Sequence, residues 1–466
     1  MLALPIALVA CGEPKRAAFT PTTDAAQGTD ATADGAPCTS GHTYCEGTSA
    51  LFTCNDRGEV TTRSMCEAPN LTCVPDVGCR VCRPGSTRCS PDAPLQTQRC
   101  RDDGMGWDNG AMCSAEDGSA CIAGVCSDRC SDSALGRSYL GCSYWPTVTA
   151  NSGLDPMFGF AIVLANPQTY PVRATITGGA LTEPRVLTLD PGAIETVDLP
   201  WVVPLVQLNP RCPRLGTRCL ANDPARSVLA RNGAYHVQTN GPVAAYQFNP
   251  LTYSISNTYY SYSNDASLLL PQGVLTRSYT VSTWPDMDSN DPTRAAFGGF
   301  VAVVATGGET TEVNVRASSR IRAGNGVAAM SANQRATFTL AQGDVLELVG
   351  DGGGDLTGTT IQSSLPVAVF VGHDCTYVPR GRPACDHLEE QLLPDETWGR
   401  DYVVSALRDR GTTTPNMVRI LSRVDDNQIS FDPPSAHADV TLSRGEFVEF
   451  ESRDHFHVQG SGAFLV

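Results

Sequence analysis

The chain has 466 residues, 41% of them hydrophobic, and a formal net charge of −16. That length provides for a sizeable core and for about three domains. The acidity leaves no basic patch to neutralise phosphates, which excludes nucleic acid and anionic bilayer surfaces as charge-recognised partners.

Residues 1–10 (MLALPIALVA) are apolar and run into Cys11. Leu8-Val9-Ala10-Cys11 resembles a bacterial lipobox acylated at Cys11, although the basic residues that normally precede such a run are missing, which points to a true start upstream of Met1. An apolar stub ending on a chance cysteine is the plain alternative. No other run approaches the roughly 20 apolar residues of a membrane-spanning helix, so the membrane partner expected is a bacterial outer membrane reached through a lipid anchor. Residues 12–37, rich in Ala, Thr, Asp and Gly, bury too little to offset their ordering entropy and read as a flexible linker.

Composition changes at Cys38. Cys38, Cys45, Cys54, Cys66, Cys73 and Cys79 are followed by Cys82, Cys89, Cys100, Cys113, Cys121 and Cys126, each 44 to 48 residues after its counterpart. Six cysteines in a short turn-rich segment predict two disulfide modules, residues 38–80 and 81–130, with the pairing open among 15 arrangements in each. Zinc is the competing reading, since Cys79-Arg80-Val81-Cys82 is a CxxC; but it lies at the junction of the copies, no second CxxC follows, and His42 is the one histidine in reach. Apart from Cys11, 18 cysteines remain, and Cys130/Cys142, Cys212/Cys219 and Cys375/Cys385 are left as local pairs. Disulfide use on this scale predicts an oxidising compartment.

Beyond residue 138 helical periodicity is almost absent, and short apolar runs punctuated by Gly and Pro predict an all-β chain of tandem β-sandwich-like repeats. ASLLLPQGVLTRSYTVSTW (266–284) lines up with EEQLLPDETWGRDYVVSAL (389–407), an offset of 123 residues, and GPVAAYQF (241–248) lines up with LPVAVFVG (365–372). A Thr-Leu-x-x-Gly turn recurs at Thr188, Thr339 and Thr441, where glycine supplies a positive φ. FGFAIVLAN, GGFVAVVAT and MVRILS open the three copies. The units expected are 138–284, 285–407 and 408–466, the last incomplete because no linking segment follows GAFLV.

CSYWPTVTAN (142–151), YQFNPL (246–251), SNDASLLLP (263–271), GHDC (372–375) and ACDHLEEQLLP followed by TWGRDYVV together resemble the IgGFc-binding protein N-terminal domain family. The resemblance covers about residue 138 to the end, and the cysteine modules look like those of bacterial, myxobacteria-like surface members. It implies a binding or adhesion module with no catalytic residues to carry over. Immunoglobulin binding is not implied for a bacterial member, and the ligand, protein or glycan, stays open.

His373, Asp374, Asp386 and His387 flank Cys375 and Cys385 in a near-palindrome, HDC then CDH. With free thiols this set suits zinc; with a Cys375–Cys385 bridge it leaves two histidines, Asp374, Asp386, Glu389 and Glu390 as a weaker cation site, and the bridge is preferred because two prolines and a glycine between the cysteines suit a hairpin. No cofactor is predicted. GxSxG, HExxH, phosphate-loop and dinucleotide motifs are absent from the sequence. Tyr253, Tyr259, Tyr260 and Tyr262, set among Ser and Asn, match the composition of a loop-borne binding surface, and equally that of a tyrosine-rich strand. A non-enzymatic, lipid-anchored surface binding module is the leading reading; a structural envelope spacer, and a metal-dependent surface hydrolase using the His373/His387 region, are the alternatives.

Overall fold

The structure, a computed structural model, describes residues 41–66, 71–114, 118–152, 154–155, 157–207, 225–257, 259–261, 264–287, 297–380, 382, 386–406 and 415–466. Described residues up to Thr87, with Arg99–Asp108, form one compact unit; Arg88–Gln98 with Asn109–Val466 form the other.

In the first unit Thr43–Glu46, Ala50–Cys54 and Val60–Met65 make an antiparallel sheet, and Thr72–Val74 pairs with Gly78–Arg80. The strand Val60–Met65 is exposed along its whole length, so apolar burial alone cannot hold this unit. Sulfur does the holding: Cys45–Cys73, Cys66–Cys79 and Cys82–Cys100 close spans of 28, 13 and 18 residues, each contributing about 3–4 kcal/mol on a loop-entropy scale.

The second unit adds Cys89–Cys121 and Cys113–Cys126. In both modules, therefore, the second cysteine joins the fifth and the fourth joins the sixth. Cys54 is also disulfide-bonded. These pairings select one family of arrangements from the 15 that the sequence left open.

The β body of the second unit repeats one plan three times. An opening strand (Phe160–Ala165, Gly299–Ala305, Asn416–Ser422) pairs antiparallel on one side with a late strand (Tyr235–Phe248, Val367–Thr376, Phe456–Leu465). Its other side takes Ile194–Leu199, Val345–Val349 or Phe447–Ser452. A separate pair follows each opening strand: Val172–Gly178 with Arg185–Leu189, Thr311–Arg316 with Arg335–Leu340, Asn427–Asp432 with Val440–Leu442.

The Thr-Leu-x-x-Gly turns carry the chain out of that pair and onto the edge of the opening strand. Gly192, Gly343 and Gly445 have φ of +73°, +81° and +78°, which L side chains resist. Each glycine N–H donates at 2.9 Å to the carbonyl at the end of its opening strand, at Asn166, Ala305 and Ser422. A second landmark is a tyrosine that the aligned sequence segments mark at Tyr279 and Tyr402 and that the fold extends to Tyr144. Tyr144, Tyr279 and Tyr402 each donate their hydroxyl to a late-strand carbonyl, Val243 at 2.6 Å, Val367 at 2.7 Å and Phe464 at 2.9 Å. The Leu-Leu-Pro segments lead through short 3-10 turns, Gln272–Val274 and Asp395–Thr397, into the strands that carry Tyr279 and Tyr402.

The first two repeats are not separate sandwiches. All seven residues of Gly299–Ala305 are buried, as a continuous apolar run permits and an alternating one does not. Val301, Val303 and Ala305 pack with Val313, Val315 and Ile361 of their own repeat. Ala302 and Val304, with Val345, Ala368 and Phe370, belong instead to the core of the first repeat, among Phe160, Ile162, Tyr235 and Val237. Val228–Ala230, from the first repeat's return segment, also adds a strand beside Val345–Val349. The third repeat keeps its own core around Ile420, Phe431, Val458 and Phe464, and Arg419 ties it to the second through Asp355 at 3.1 Å and the ring of Trp284 at 4.8 Å.

Candidate binding surface and the buried polar joint

The tyrosine-rich stretch forms a small projecting hairpin in which Ser254–Ile255 pairs with Tyr259–Tyr260. Ser256 and Asn257, in its turn, have φ of +55° and +53°. Its neck is pinned by side chain and backbone together. Asn264 Nδ2 donates to the carbonyls of Pro250 at 2.9 Å and Leu251 at 3.2 Å, Ser261 N–H donates to Tyr253 O at 2.9 Å, and Asn249 N–H donates to Asp265 O at 2.9 Å.

Tyr253 is 55% exposed and Tyr260 39%, with their rings 5.4 Å apart and tilted. Tyr259 contributes a hairpin strand, and Tyr262 lies outside the described residues. Two aromatic side chains held against each other in solvent form a firm amphipathic contact patch, which costs a partner little ordering entropy.

The histidine stretch has a different fate. Val367–Thr376 and Asp386–Gln391 do form a hairpin, with His373 opposite Leu388. Cys375 is disulfide-bonded; Cys385 lies outside the described residues, as do Cys11, Cys212 and Cys219. Cys130 and Cys142 are bonded to each other across 12 residues. His373, Asp374 and His387 are all buried, because residues 147–152 run between the first and second repeats and cover them.

Those six residues are held largely by side chains, beside a backbone bridge from Thr147 to Ala234 and a bond from Asn151 N–H to Val206 O at 3.1 Å. Gln247 accepts from Thr147 N–H at 3.0 Å and returns a bond from Nε2 to Thr147 O at 2.9 Å, in the manner of a strand partner. Ala150 N–H donates to Glu347 at 2.9 Å, and Ser152 donates to Asp374 from its N–H at 2.7 Å and its hydroxyl at 2.6 Å. Glu389 receives Gln247 Nε2 at 2.6 Å and Asn249 Nδ2 at 3.2 Å, and the Thr149 hydroxyl also donates to it. Ser267 donates to Glu390 at 3.2 Å and accepts from Gln391 N–H at 2.7 Å.

Desolvation sets the protonation of this joint. Burial pushes Glu347 up to about 8, and burial with the nearby charge of Glu389 pushes Asp265 up to about 7. Asp374, Glu389 and Glu390 are raised for the same primary reason. Burial drives His373 and His387 down to about 3, so both imidazoles are neutral.

Asp374 is occupied by Ser152, and His373 Nδ1 accepts from Cys375 N–H at 3.1 Å. Asp386 opens its strand on the exposed side. Among the described residues no group of three or more His, Cys, Asp or Glu side chains is arranged to hold a metal ion. A groove of about 500 Å³ lies in the third repeat, lined by Gln428, Ser430, Asp439, Thr441, Gln459 and Ser461 among others. It contains no histidine, cysteine or glutamate.

No helix among the described residues is long and apolar enough to cross a membrane. Major pilin crystal structures from Streptococcus pyogenes align over 69% of this chain and 97–98% of theirs at 10–11% identity, with a TM-score of 0.10, too low to bear on the fold. The human IgGFc-binding protein is 33% identical over 99 residues, which is 21% of this chain and 2% of the human protein. Residues 265–466 match the family model described as IgGFc binding protein, so this part of the chain is similar to the domain of that family.

Proposed function

We propose that the protein is a non-enzymatic binding module for a protein ligand, with the Tyr253–Tyr260 face as its contact surface. The observation that carries this reading is the pair of exposed tyrosine rings on a hairpin whose neck is fixed by Asn264. The family of residues 265–466 supports a binding role, and the name of the human relative makes the Fc fragment of immunoglobulin G the first probe. Protein and glycan arrays are the second.

Aromatic anchors at the centre of an interface are worth about 2 kcal/mol or more each. Tyr253→Ala and Tyr260→Ala in the full chain are therefore each expected to weaken binding at least about tenfold by surface plasmon resonance, with the melting temperature unchanged. Full affinity in the double variant would overturn the assignment of this face.

The same reading puts the module outside the cytoplasm, tethered by acylation of Cys11 to a bacterial outer membrane. Metabolic labelling with a radioactive fatty acid is expected to mark the wild-type protein and to fail with Cys11→Ser. Label retained in that variant would remove the anchor.

A further inference from the structure

Inside the polar joint, one constellation is not used by any binding role. The Thr149 hydroxyl donates to Glu389 Oε2. His387 Nε2 lies 3.5 Å from that hydroxyl oxygen, and His387 Nδ1 lies 4.0 Å from Asp265 Oδ2. Hydroxyl, imidazole and carboxylate thus stand in the order of a serine or threonine nucleophile's triad, with the imidazole–carboxylate gap longer than a hydrogen bond. Gln247 places an amide donor 2.6 Å from Glu389 Oε1, where it polarises the carbonyl and would stabilise a tetrahedral oxyanion, while Asn249 Nδ2 lies 3.2 Å from Oε2 and donates to the Thr149 hydroxyl oxygen at 2.8 Å, which fixes the nucleophile. Thr149 is 0% exposed, His387 2% and Glu389 5%.

We propose that Thr149 and Glu389 condense to an intramolecular ester, a covalent clasp between the segment 147–152 and the strand Asp386–Gln391. Thr149 Oγ gives its proton to His387 Nε2 and attacks Glu389 Cδ, so that the Oγ–Cδ bond forms. The tetrahedral centre then collapses with cleavage of the bond from Cδ to the carboxyl hydroxyl, which takes the proton from His387 and leaves as water. Nothing is oxidised or reduced, and no co-reactant is consumed.

Two features of the site favour this direction. Burial shifts Glu389 toward its protonated, electrophilic form, whereas an ionised carboxylate resists attack. The reacting groups are also fixed in contact in a dry interior, and well-oriented intramolecular pairs reach effective concentrations of roughly 10⁵ M or more, far above that of bulk water. The reaction occurs once per molecule, so the weak basicity of a buried imidazole suffices. The clasp joins residues 240 apart in sequence and binds the first repeat to the second.

Mass spectrometry of the reduced, denatured full chain tests the proposal. The wild type is expected to be about 18 Da, one water, lighter than its reduced sequence, with Thr149 and Glu389 recovered in one cross-linked peptide that alkaline hydroxylamine separates. Thr149→Val is expected at its full sequence mass. His387→Asn, which retains both reacting groups, is expected at its full mass or with the ester reduced to a minor fraction; a role in packing alone would not change covalent mass. Recovery of Thr149 and Glu389 in separate, unmodified peptides of the wild type would overturn the ester. Complete esterification of His387→Asn would overturn the part given to the imidazole.

Discussion

Gly372→Ala is expected to destabilise the second repeat severely. Gly372 sits in the strand Val367–Thr376 between Phe300 and Glu389, its partners in the two neighbouring strands. A Cβ added there would lie 1.8 Å from Leu388 O and 2.6 Å from the Phe300 ring. Phe300 is fully buried and cannot swing aside, and the Leu388 carbonyl is backbone, so the sheet itself must open. Overpacking of a well-filled core ordinarily costs about 1–3 kcal/mol, and a clash against backbone belongs at or above the top of that range. Because the first repeat uses the other face of this sheet as part of its core, the loss should spread. A single cooperative transition at a denaturant midpoint far below that of the wild type, followed by circular dichroism, is the expected record; an unchanged midpoint would mean that the strand accommodates a methyl group.

Stability is expected to fall as pH rises from about 6.5 to 8. Glu347, normally near 4.5, is held at about 8 in the folded chain, and Asp265 and Asp286, normally near 3.8, at about 7 and 6. Between its ordinary and its raised value such a group keeps a proton when folded and loses it when unfolded. The stability that this protonation provides is present below the ordinary value and drains away as pH climbs to the raised one. The buried histidines act in the opposite sense. His236 is depressed to about 4, and His373 and His387 to about 3, all from 6.5, so their contribution is lost as pH falls below 6.5. Above pH 6.5 these histidines no longer contribute a slope and the carboxyl groups act without opposition.

Thermal melts are therefore expected to peak between about pH 4.5 and 6.5 and to decline toward pH 8, by an amount of order a few kcal/mol from Glu347. Glu347→Gln removes the titrating group. It should start from a lower baseline, since Gln207 Nε2 donates to this side chain at 3.2 Å and an amide nitrogen would face it badly. Its slope above pH 6.5 should nevertheless flatten. A variant as steep as the wild type would place the alkaline loss elsewhere.

The repeat was legible in the sequence because its markers are local. A turn glycine, a proline after two leucines and an apolar run each report on a few residues of backbone. Tyr144 escaped notice because the residues after it, Trp145 and Pro146, differ from those after Tyr279 and Tyr402, and the hydroxyl's partner lies 99 residues away. The disulfide arrangement was beyond reach for a combinatorial reason, and only the fold chooses among pairings that spacing treats alike.

The His373–Glu390 stretch presented ligand-type side chains, but residue type does not reveal what covers a strand. Residues 147–152 carry no apolar run, yet Thr147, Thr149, Asn151 and Ser152 are buried at 0–1% exposure. A short polar insert held largely by side-chain hydrogen bonds has no periodicity to announce it. The sharing of one sheet by two cores was equally hidden, since Gly299–Ala305 and Phe160–Ala165 look alike in one dimension.

The strand Gly299–Ala305, apolar on both faces, separates the segment that sequence matching recognises from the segment that can fold. The recognised region begins at Asp265, yet most of the cluster that shields Ala302, Val304 and Phe370 from water comes before it. A gene fragment cut at that point and spliced into another protein would arrive with half of a hydrophobic interior turned outward. Shuffling of this module through evolution therefore has to move both layers together, or find a host that already offers a matching β face.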